Sequence, residues 1–383
     1  MTAMTPKERA MAAFEHRPTD RVPVFHSGLS SYAGSFFLGR EAYVGGGIQQ
    51  WRESAALWEG EEAHQEFIER SRQDAFDLTR VLDQDIVRVR YWRMGEKPTR
   101  KIDENSFQYG DPDGQWRVMR FDPATELYQE VDSTPRPELT FDDLERQVEA
   151  SEKSVSKFTA NVAAYSEEAA ALEAFPDRAV RGLGVGINVE YRSRIWLEAI
   201  ALRRDIVERL FDVQAERALR QLVPQAEMGL RLLAGGGDFA SNQGPFYSPT
   251  FFREAMLPRL QRVTEAYHKL DCYLLYASDG NLWPVADDLF GASGIDGYYE
   301  IDDRAGMDLR KLRERFPKLT LMGGLNSYTL HRGSREDVIA ETRAAMEAAR
   351  ECDSILVGCS NQIVAGTPRE NMEAMQETID RYR

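Results

Sequence analysis

Cysteine and histidine, the side chains from which proteins build zinc sites and disulfides, are scarce in this sequence. Among 383 residues there are three cysteines and five histidines. No Cys-x-x-Cys, His-x-Cys or His-Glu-x-x-His pattern occurs, so a tetrahedral zinc site made from these side chains is not predicted. The small, odd number of cysteines argues against a disulfide framework and is typical of a reducing compartment.

Positive charge and long apolar runs are also lacking. Lysine and arginine number 48 against 63 acidic residues, which gives a formal net charge of −15. Nucleic acids and anionic membrane surfaces require a basic face, so we expect neither as a partner. No apolar signal-peptide core occurs near the N-terminus, and no run approaches the roughly 20 apolar residues that span a bilayer. We therefore expect a cytoplasmic protein that acts on a small molecule.

The sequence does contain a regular alternation of short apolar runs with long amphipathic segments. Its second half has five β-rich runs, which are Leu232–Ala240, Cys272–Ser278, Ile295–Ile301, Leu319–Leu325 and Ser354–Ser360. Helical spacing of apolar residues predicts helices between them, over Pro249–Leu270, Leu282–Gly291, Leu309–Phe316 and Arg335–Cys352. Ser248-Pro249 and Thr367-Pro368 are typical helix starts. This order predicts parallel β-α-β units.

Three further apolar runs in the first half bring the predicted strands to eight. They are Arg21–Phe25, Ile86–Val89 and Ala179–Val185. Eight strands close a (β/α)8 barrel, and we predict a single α/β domain of this TIM-barrel type over residues 1–383. An open, doubly wound sheet is the alternative. Two insertions are predicted, an N-terminal β-hairpin over Phe107–Phe121 and solvated helices over Phe141–Ala174.

Polar residues follow the predicted strands, at the end of the barrel where such enzymes place their active sites. Asp279 and Glu300 follow the fifth and sixth strands, and carboxyl groups at a partly dry mouth can act as acid or base. The predicted substrate-binding residues, whose side chains can orient a polar ligand, are His26, Tyr191, Arg192, Asp238, Asn242, Gln243, Asn281, Asn326, Asn361 and Gln362. Capping of the next helix is an equally good interpretation of any single Asp or Asn among them.

An oxygen-rich metal site is a second interpretation of the acids. Asp279, Glu300 and Asp302 could together hold a hard cation. Cys359, in the eighth predicted strand, is a weaker candidate ligand, because a cysteine there is more often a small buried apolar residue. Both interpretations stay open, and zinc is the less favoured metal.

Several longer motifs are similar to those of a known family. They are Gly237-Asp238-Phe239, Gln243-Gly244-Pro245-Phe246-Tyr247-Ser248-Pro249, Ser278-Asp279-Gly280-Asn281, Gly323-Gly324-Leu325, Gly366-Thr367-Pro368-Arg369-Glu370-Asn371 and, near the N-terminus, Thr5-Pro6-Lys7-Glu8-Arg9 and Asp20-Arg21-Val22-Pro23. In these the chain resembles the uroporphyrinogen decarboxylase superfamily, over most of its length and most specifically after residue 230. The resemblance implies a (β/α)8 barrel enzyme that forms a homodimer.

The superfamily contains two chemistries, and the sequence departs from the usual residues of both. For uroporphyrinogen decarboxylation, the resemblance maps the key aspartate onto Asp85, but Phe25-His26-Ser27-Gly28-Leu29 replaces the Arg-rich motif that binds substrate carboxylates. For corrinoid-linked methyl transfer, the family's zinc ligands fall on Ala277, Asp279 and Asn361, which do not form that zinc site.

The missing Arg motif and the Thr-Pro-Lys-Glu-Arg start favour the methyltransferase branch. We expect a methyltransferase or demethylase for a small methylated substrate, in which Asp279 and Glu300 polarise the methyl–heteroatom bond. A corrinoid carried by a partner protein is the expected acceptor. Decarboxylation of tetrapyrrole acetate side chains, with Asp85 stabilising the protonated pyrrole, is the alternative. A third interpretation is a non-catalytic barrel that binds a tetrapyrrole or corrinoid.

Overall fold

Helices begin where the sequence supplies capping residues. The computed structural model describes residues 3–383. Thr5, Thr140 and Ser334 each accept a backbone hydrogen bond at a helix start and form a capping box with the acid three residues later. The helices are α1 (Pro6–Phe14), α2 (Ser31–Leu38), α3 (Gly47–Glu59), α4 (Glu61–Val81), α5 (Phe141–Lys157), α6 (Ser166–Ala174), α7 (Arg194–Leu202), α8 (Arg204–Glu227), α9 (Pro249–Phe251), α10 (Leu257–His268), α11 (Leu309–Arg315), α12 (Ser327–Arg332), α13 (Arg335–Glu351) and α14 (Arg369–Tyr382).

Two predicted helices differ from regular α-helix. The π-helical segment Phe252–Met256 joins α9 to α10, so the predicted helix over Pro249–Leu270 is continuous but locally wider. The predicted helix Leu282–Gly291 is a 3-10 turn, Trp283–Val285, followed by a π-helical segment, Asp287–Ala292. No helix within residues 3–383 has both the length and the apolar character needed to cross a membrane.

The strands are short, as expected for a chain that alternates strands with helices. They are β1 (Gly28–Leu29), β2 (Ile86–Val87), β3 (Arg100–Lys101), β4 (Ser106–Gly110), β5 (Trp116–Asp122), β6 (Leu127–Ser133), β7 (Ala179–Leu183), β8 (Leu232–Gly236), β9 (Ala240–Ser241), β10 (Gly244–Pro245), β11 (Tyr273–Ala277), β12 (Gly297–Tyr299), β13 (Thr320–Leu325), β14 (Ile355–Cys359) and β15 (Gln362–Ile363).

Seven of these strands form one parallel sheet. Their order across the sheet is β2-β7-β8-β11-β12-β13-β14, which is also their order along the chain. A doubly wound sheet would reverse its strand order at a switch point, and no reversal occurs here. The sheet curls into a half-barrel. This confirms the predicted α/β class, is consistent with a TIM-barrel-like fold, and does not agree with the doubly wound alternative.

The segment predicted as the first strand, Arg21–Phe25, is irregular but lies between the two edges of this sheet. Val24 bridges Val357 in β14, and the Phe25 N–H donates to the Val357 carbonyl at 3.0 Å. On the other side, the Asp85 N–H donates to the Val24 carbonyl at 2.9 Å, immediately before β2. The segment therefore hydrogen-bonds toward both edge strands.

Alternation along each strand divides the apolar core into two layers. Inward-facing residues of each strand, together with Phe25, form the inner layer, which comprises Phe25, Ile86, Ala179, Leu232, Leu275, Ala277, Tyr299, Met322 and Leu356. Ala10, Ala13 and Phe14 of α1 pack under this layer and cover the end of the sheet where the strands begin. The larger outer layer lies between the sheet and the surrounding helices. The opposite end of the sheet is left open.

The residues predicted as a hairpin, Phe107–Phe121, belong to a four-stranded antiparallel sheet with the order β3-β4-β5-β6. The turn between β4 and β5 has the Gly114 N–H bonded to the Asp111 carbonyl at 3.0 Å. The sheet packs on Ile48 of α3 through its own small apolar cluster. The segment predicted to hold solvated helices contains α5 and α6.

Candidate active site

Three carboxylates meet at the open end of the sheet. Asp238, Asp279 and Glu300 follow the neighbouring strands β8, β11 and β12, and a ligand oxygen of each lies within 4.8 Å of the others. Strand register brings them together, because Ala277 is paired with Gly236 on one side and Tyr299 on the other. Asp238 lies two residues after Gly236, and Asp279 lies two residues after Ala277. Glu300 lies one residue beyond, in the left-handed conformation with φ 66°.

Hydrogen bonds from the backbone and from Asn361 hold this cluster. The Asp279 N–H donates to Asp238 Oδ1 at 3.1 Å, and Asn361 Nδ2 donates to Asp279 Oδ2 at 2.9 Å. The Glu300 N–H donates to the Ser360 carbonyl at 3.1 Å. The loop after β14 thus fixes two of the three acids, Asp279 through its carboxylate and Glu300 through its backbone N–H.

The environment of the cluster favours a bound proton. Burial, followed by the negative charges of Asp279 and Asp238, raises the pKa of Glu300 to about 8. Burial and then Asp238 raise the pKa of Asp279 to about 6, while the Asn361 hydrogen bond opposes that shift. At neutral pH, Glu300 therefore carries a proton and Asp279 is mainly ionised. One group can donate a proton and its neighbour can accept one.

Two arginines lie on the inner face of the curled sheet beside these acids. Arg88 and Arg181 come two residues after the inward-facing Ile86 and Ala179, so strand alternation directs them inward above the inner apolar layer. Arg88 donates to the backbone carbonyls of Ser27 and Arg90. Burial, followed by the like charge of Arg181, lowers the pKa of Arg88 to about 10.

The positive charges of these arginines affect whether the acids bind a proton or a metal cation. Both guanidinium groups act on Glu300 by charge and lower its pKa, against the larger effect of burial. A cation placed among the three carboxylates would be repelled by two fixed positive charges nearby, whereas a proton on Glu300 is already favoured. Within residues 3–383 the cluster contains no thiolate and no imidazole, so it does not fit a zinc site of the Cys and His type.

The predicted metal candidates are only partly brought together. Asp279 and Glu300 are neighbours, and Asp238 occupies the place that the sequence suggested for Asp302. Cys359 faces the outer apolar layer, where its Sγ lies 3.4 Å from Ser327 Oγ. Burial raises the pKa of the Cys359 thiol to about 11, so this side chain stays a protonated thiol rather than becoming a thiolate ligand.

His26 is buried beneath the mouth. Its Nδ1 accepts a hydrogen bond from the Cys359 N–H at 3.1 Å, and its Nε2 is buried without a partner. Burial, followed by the charge of Arg383, lowers the pKa of His26 to about 4, so the imidazole is neutral with its proton on Nε2. These contacts give His26 a role in joining the first segment to β14.

Several of the predicted amides serve as caps. Asn326 Oδ1 accepts from the Tyr328 N–H at 2.8 Å at the start of α12, and Asn281 Oδ1 accepts from the Trp283 N–H at 3.1 Å. Asn361 and Gln362 line an open pocket beside Asp279 that also includes Asn326. Asn361 is therefore the one amide of this group with a direct bond to the acid cluster.

The remaining predicted substrate-binding residues lie on the rim. Tyr191 stacks on Phe246 with ring centroids 5.4 Å apart, and the Arg192 guanidinium lies over Tyr191. Asn242 and Gln243 are exposed in the turn between β9 and β10. They surround the mouth without touching the carboxylates.

Asp85 lies at the opposite end of the sheet. It precedes β2, is fully buried, and accepts from the Val24 N–H at 2.7 Å. Its carboxylate is also paired with Arg9 at 2.6 Å and Arg383 at 2.7 Å. The structure therefore does not bring Asp85 to the acid cluster, and its contacts tie the N-terminal helix and the C-terminal residue to the barrel.

Sequence reasoning missed Arg181 altogether. It placed Arg88 near the second predicted strand, as a replacement carboxylate clamp for the decarboxylase alternative. The sequence does indicate Arg181 as unusual. It lies inside an apolar strand, two residues after the inward-facing Ala179, and therefore on the same face of that strand. A charged residue at an inward strand position is unusual because burying an unpaired charge is costly. That cost makes a functional role for such a residue worth testing.

Comparison with known proteins agrees with the fold. No curated protein matches the chain. A methyltransferase from Methanosarcina mazei shares the fold, with a TM-score of 0.66 and 18% identity over 99% of both chains. A protein from Listeria monocytogenes described as a vitamin-B12 independent methionine synthase has a TM-score of 0.50 and 13% identity, over 95% of this chain and 98% of that chain.

The sequence of the second half carries the family assignment. Residues 193–382 match the model of the uroporphyrinogen decarboxylase (URO-D) family. The match includes Asp238, Asp279 and Glu300, which form the acid cluster. Through this match the chain belongs to the uroporphyrinogen decarboxylase (URO-D) superfamily.

Proposed function

We propose that this protein is a methyltransferase that removes a methyl group from a small substrate and passes it to a corrinoid carried by a partner protein. The observation that carries the proposal is the Glu300 carboxyl group, whose pKa is raised to about 8 at the open end of the barrel. Cleavage of a bond between a methyl group and nitrogen or oxygen needs a proton for the departing heteroatom, and Glu300 holds one at neutral pH.

The roles of the three acids follow from their contacts. As the methyl–heteroatom bond breaks, its electron pair stays on the heteroatom, which takes the Glu300 proton. The carboxylate left behind is stabilised by the positive charges of Arg88 and Arg181. Asp279, held by Asn361, can then take part in returning a proton to Glu300 from solvent.

A corrinoid fits the exposed rim of the mouth. Trp92 and Phe246 in loops at this end and Tyr328 at the start of α12 are large, partly exposed aromatic residues, and Arg304 stacks on Tyr328 at 4.0 Å. Flat apolar surfaces of this kind suit the planar face of a macrocycle. When bound there, a reduced corrinoid would supply the nucleophile that accepts the methyl group.

Barrel closure is part of the same proposal. We infer that residues 22–27 act as the eighth strand, since they bond toward β2 and β14 and place Phe25 in the inner layer. Closure would exclude water from the side of the acid cluster between β14 and β2. The raised pKa of Glu300 depends on such exclusion.

Decarboxylation of a tetrapyrrole is the less favoured alternative. It would need Asp85 at the active site, and Asp85 lies at the other end of the sheet, paired with Arg9 and Arg383. A non-catalytic barrel is distinguished by experiment, because it would bind its ligand without turnover.

The test is a single-turnover assay with cob(I)alamin as the methyl acceptor. The purified protein is incubated with a panel of methylated amines and methyl ethers, and oxidation-state changes of the corrinoid are followed by absorbance. We expect donor-dependent consumption of cob(I)alamin that falls by at least about 100-fold in Glu300→Gln. Glu265→Gln, an exposed acid on α10, is the matched control. Carbon dioxide release from uroporphyrinogen, with no methyl transfer, would overturn the proposal.

A further inference from the structure

The two inward-facing arginines have no anionic partner of their own. Within residues 3–383, neither Arg88 nor Arg181 forms an ion pair with a carboxylate, although 34 arginine–carboxylate pairs occur elsewhere in the described chain. Most arginines of the described chain are thus matched with an acid, whereas these two face the inside of the curled sheet without one. A guanidinium group in a partly dry interior is costly to leave without a counter-charge.

Their geometry is that of a prepared binding group. The Arg88 side chain is held by the Ser27 and Arg90 carbonyls, and its guanidinium lies 4.8 Å from the Tyr91 ring centroid. The Arg181 guanidinium lies 5.6 Å from the Tyr299 ring centroid and, among the described residues, makes no side-chain hydrogen bond. One group is therefore fixed and the other is free to donate.

The site has two sides of opposite charge. Arg88 and Arg181 project from β2 and β7, and the three acids follow β8, β11 and β12. Gly28 lies between the two sides. A Cβ at this position would lie 3.3 Å from Arg88 Nη1 on one side and 3.3 Å from the Asn361 carbonyl oxygen on the other. A small ligand in this space would meet positive charge at one end and the proton-donating acid at the other.

We propose that Arg88 and Arg181 bind a carboxylate of the substrate, so that the substrate is a small methylated carboxylic acid whose methylated nitrogen or oxygen faces Glu300. This inference rests on the proposed methyl transfer and names its substrate class. Paired N–H donors of guanidinium match the two oxygens of a carboxylate. A single negative charge suits the site better than a phosphate, which would also face Asp238 and Asp279.

The test compares matched ligands that differ only in the carboxylate. The pairs are N,N-dimethylglycine with 2-(dimethylamino)ethanol, and methoxyacetate with 2-methoxyethanol, measured by calorimetric titration of the wild-type protein. We expect the carboxylate member of at least one pair to bind roughly 10- to 100-fold more tightly than its alcohol, as for hydrogen bonds to a charged group. Equal affinity within both pairs, or binding of neither member, would overturn the inference.

A variant tests whether the arginines cause the preference for the carboxylate ligand. Arg181→Met keeps side-chain length without charge, and within the described chain the Arg181 side chain makes no hydrogen bond whose loss would disturb folding. We expect it to remove the preference for the carboxylate member. Arg194→Met, at a side chain 91% exposed on α7, is the matched control and should keep that preference. A full preference in Arg181→Met would contradict the assignment.

Binding and turnover separate this inference from the proposed function. Carboxylate selectivity without methyl transfer to cob(I)alamin would keep the anion site and reject the methyltransferase. Methyl transfer from the alcohols as fast as from the acids would keep the methyltransferase and reject the anion site. Inorganic phosphate serves as a competitor, and phosphate binding tighter than that of either carboxylate would reject a carboxylate as the preferred anion.

Discussion

Asn361 donates a hydrogen bond from Nδ2 to Oδ2 of Asp279 across 2.9 Å, which joins the loop after the last sheet strand to the loop after β11. The bond stabilises the ionised form of Asp279 and so opposes the effects of burial and of Asp238. It links residues 82 positions apart in the chain. The protonation state of the acid cluster is therefore set by contacts between distant segments.

Removing this bond should make Asp279 a weaker acid. In Asn361→Ala we expect the pKa of Asp279 to rise above its present value of about 6, because the only hydrogen bond that favours its charged form is lost. Carboxyl carbon NMR titration measures this shift directly. Asn242→Ala, in an exposed turn at the mouth, should leave the titration unchanged. An unchanged titration in Asn361→Ala would contradict the role given to this amide.

The methyl transfer step should require the protonated form of Glu300. We expect the single-turnover rate to fall as pH rises through about 8, since the proton donor is lost there. A change that exposed Glu300 to solvent would lower its pKa, and the rate would then fall at a lower pH. A rate that is independent of pH between 7 and about 9.5 would show that Glu300 is not the donor.

The same pKa has a consequence for stability, with a definite sign. Burial raises the pKa of Glu300 above that of an unfolded glutamate, so the folded state binds a proton more tightly than the unfolded state. Stability contributed by that proton is fully present below the unfolded pKa and declines as pH rises toward about 8. Glu300→Gln, which resembles the neutral form, should thus be less sensitive to alkaline pH. Urea unfolding of both proteins at acidic and alkaline pH measures the difference.

Asp85 should be important for stability rather than for chemistry. Arg383→Ala removes one of its two buried partners, and breaking such a pair costs on the order of 3 kcal/mol in the free energy of unfolding. Arg381→Ala, an exposed neighbour on α14, is the control and should change stability by less than about 0.5 kcal/mol. We expect the pH dependence of methyl transfer to be the same in Arg383→Ala as in the wild type. A shifted pH limb would place Asp85 in the catalytic machinery after all.

Zinc should not be needed for activity. The acid cluster offers only carboxylates, and Cys359 is a buried thiol that faces away from it. Extended treatment with a strong chelator should therefore leave the methyl transfer rate unchanged. Loss of activity that only zinc restores would contradict this prediction and would require ligands other than the acid cluster.

The sequence by itself determined the local elements and the fold class. Apolar periodicity located the seven strands of the parallel sheet, and Thr5, Ser248 and Ser334 marked helix starts, because period and capping depend on residues close together in the chain. The rule that parallel strands end at one edge also brought Asp279 and Glu300 to the same mouth.

Only the tertiary structure decided which side chains meet. Register placed Asp238 rather than Asp302 beside Asp279, and a strand that begins at Ile86 left Asp85 at the closed end. Inward alternation put Arg181 next to the acids, and only the curled sheet decides which of the two faces of β7 is the inward one. These outcomes depend on strand pairing and sheet curvature, which arise from contacts between residues far apart in the chain and are therefore not encoded in any short segment.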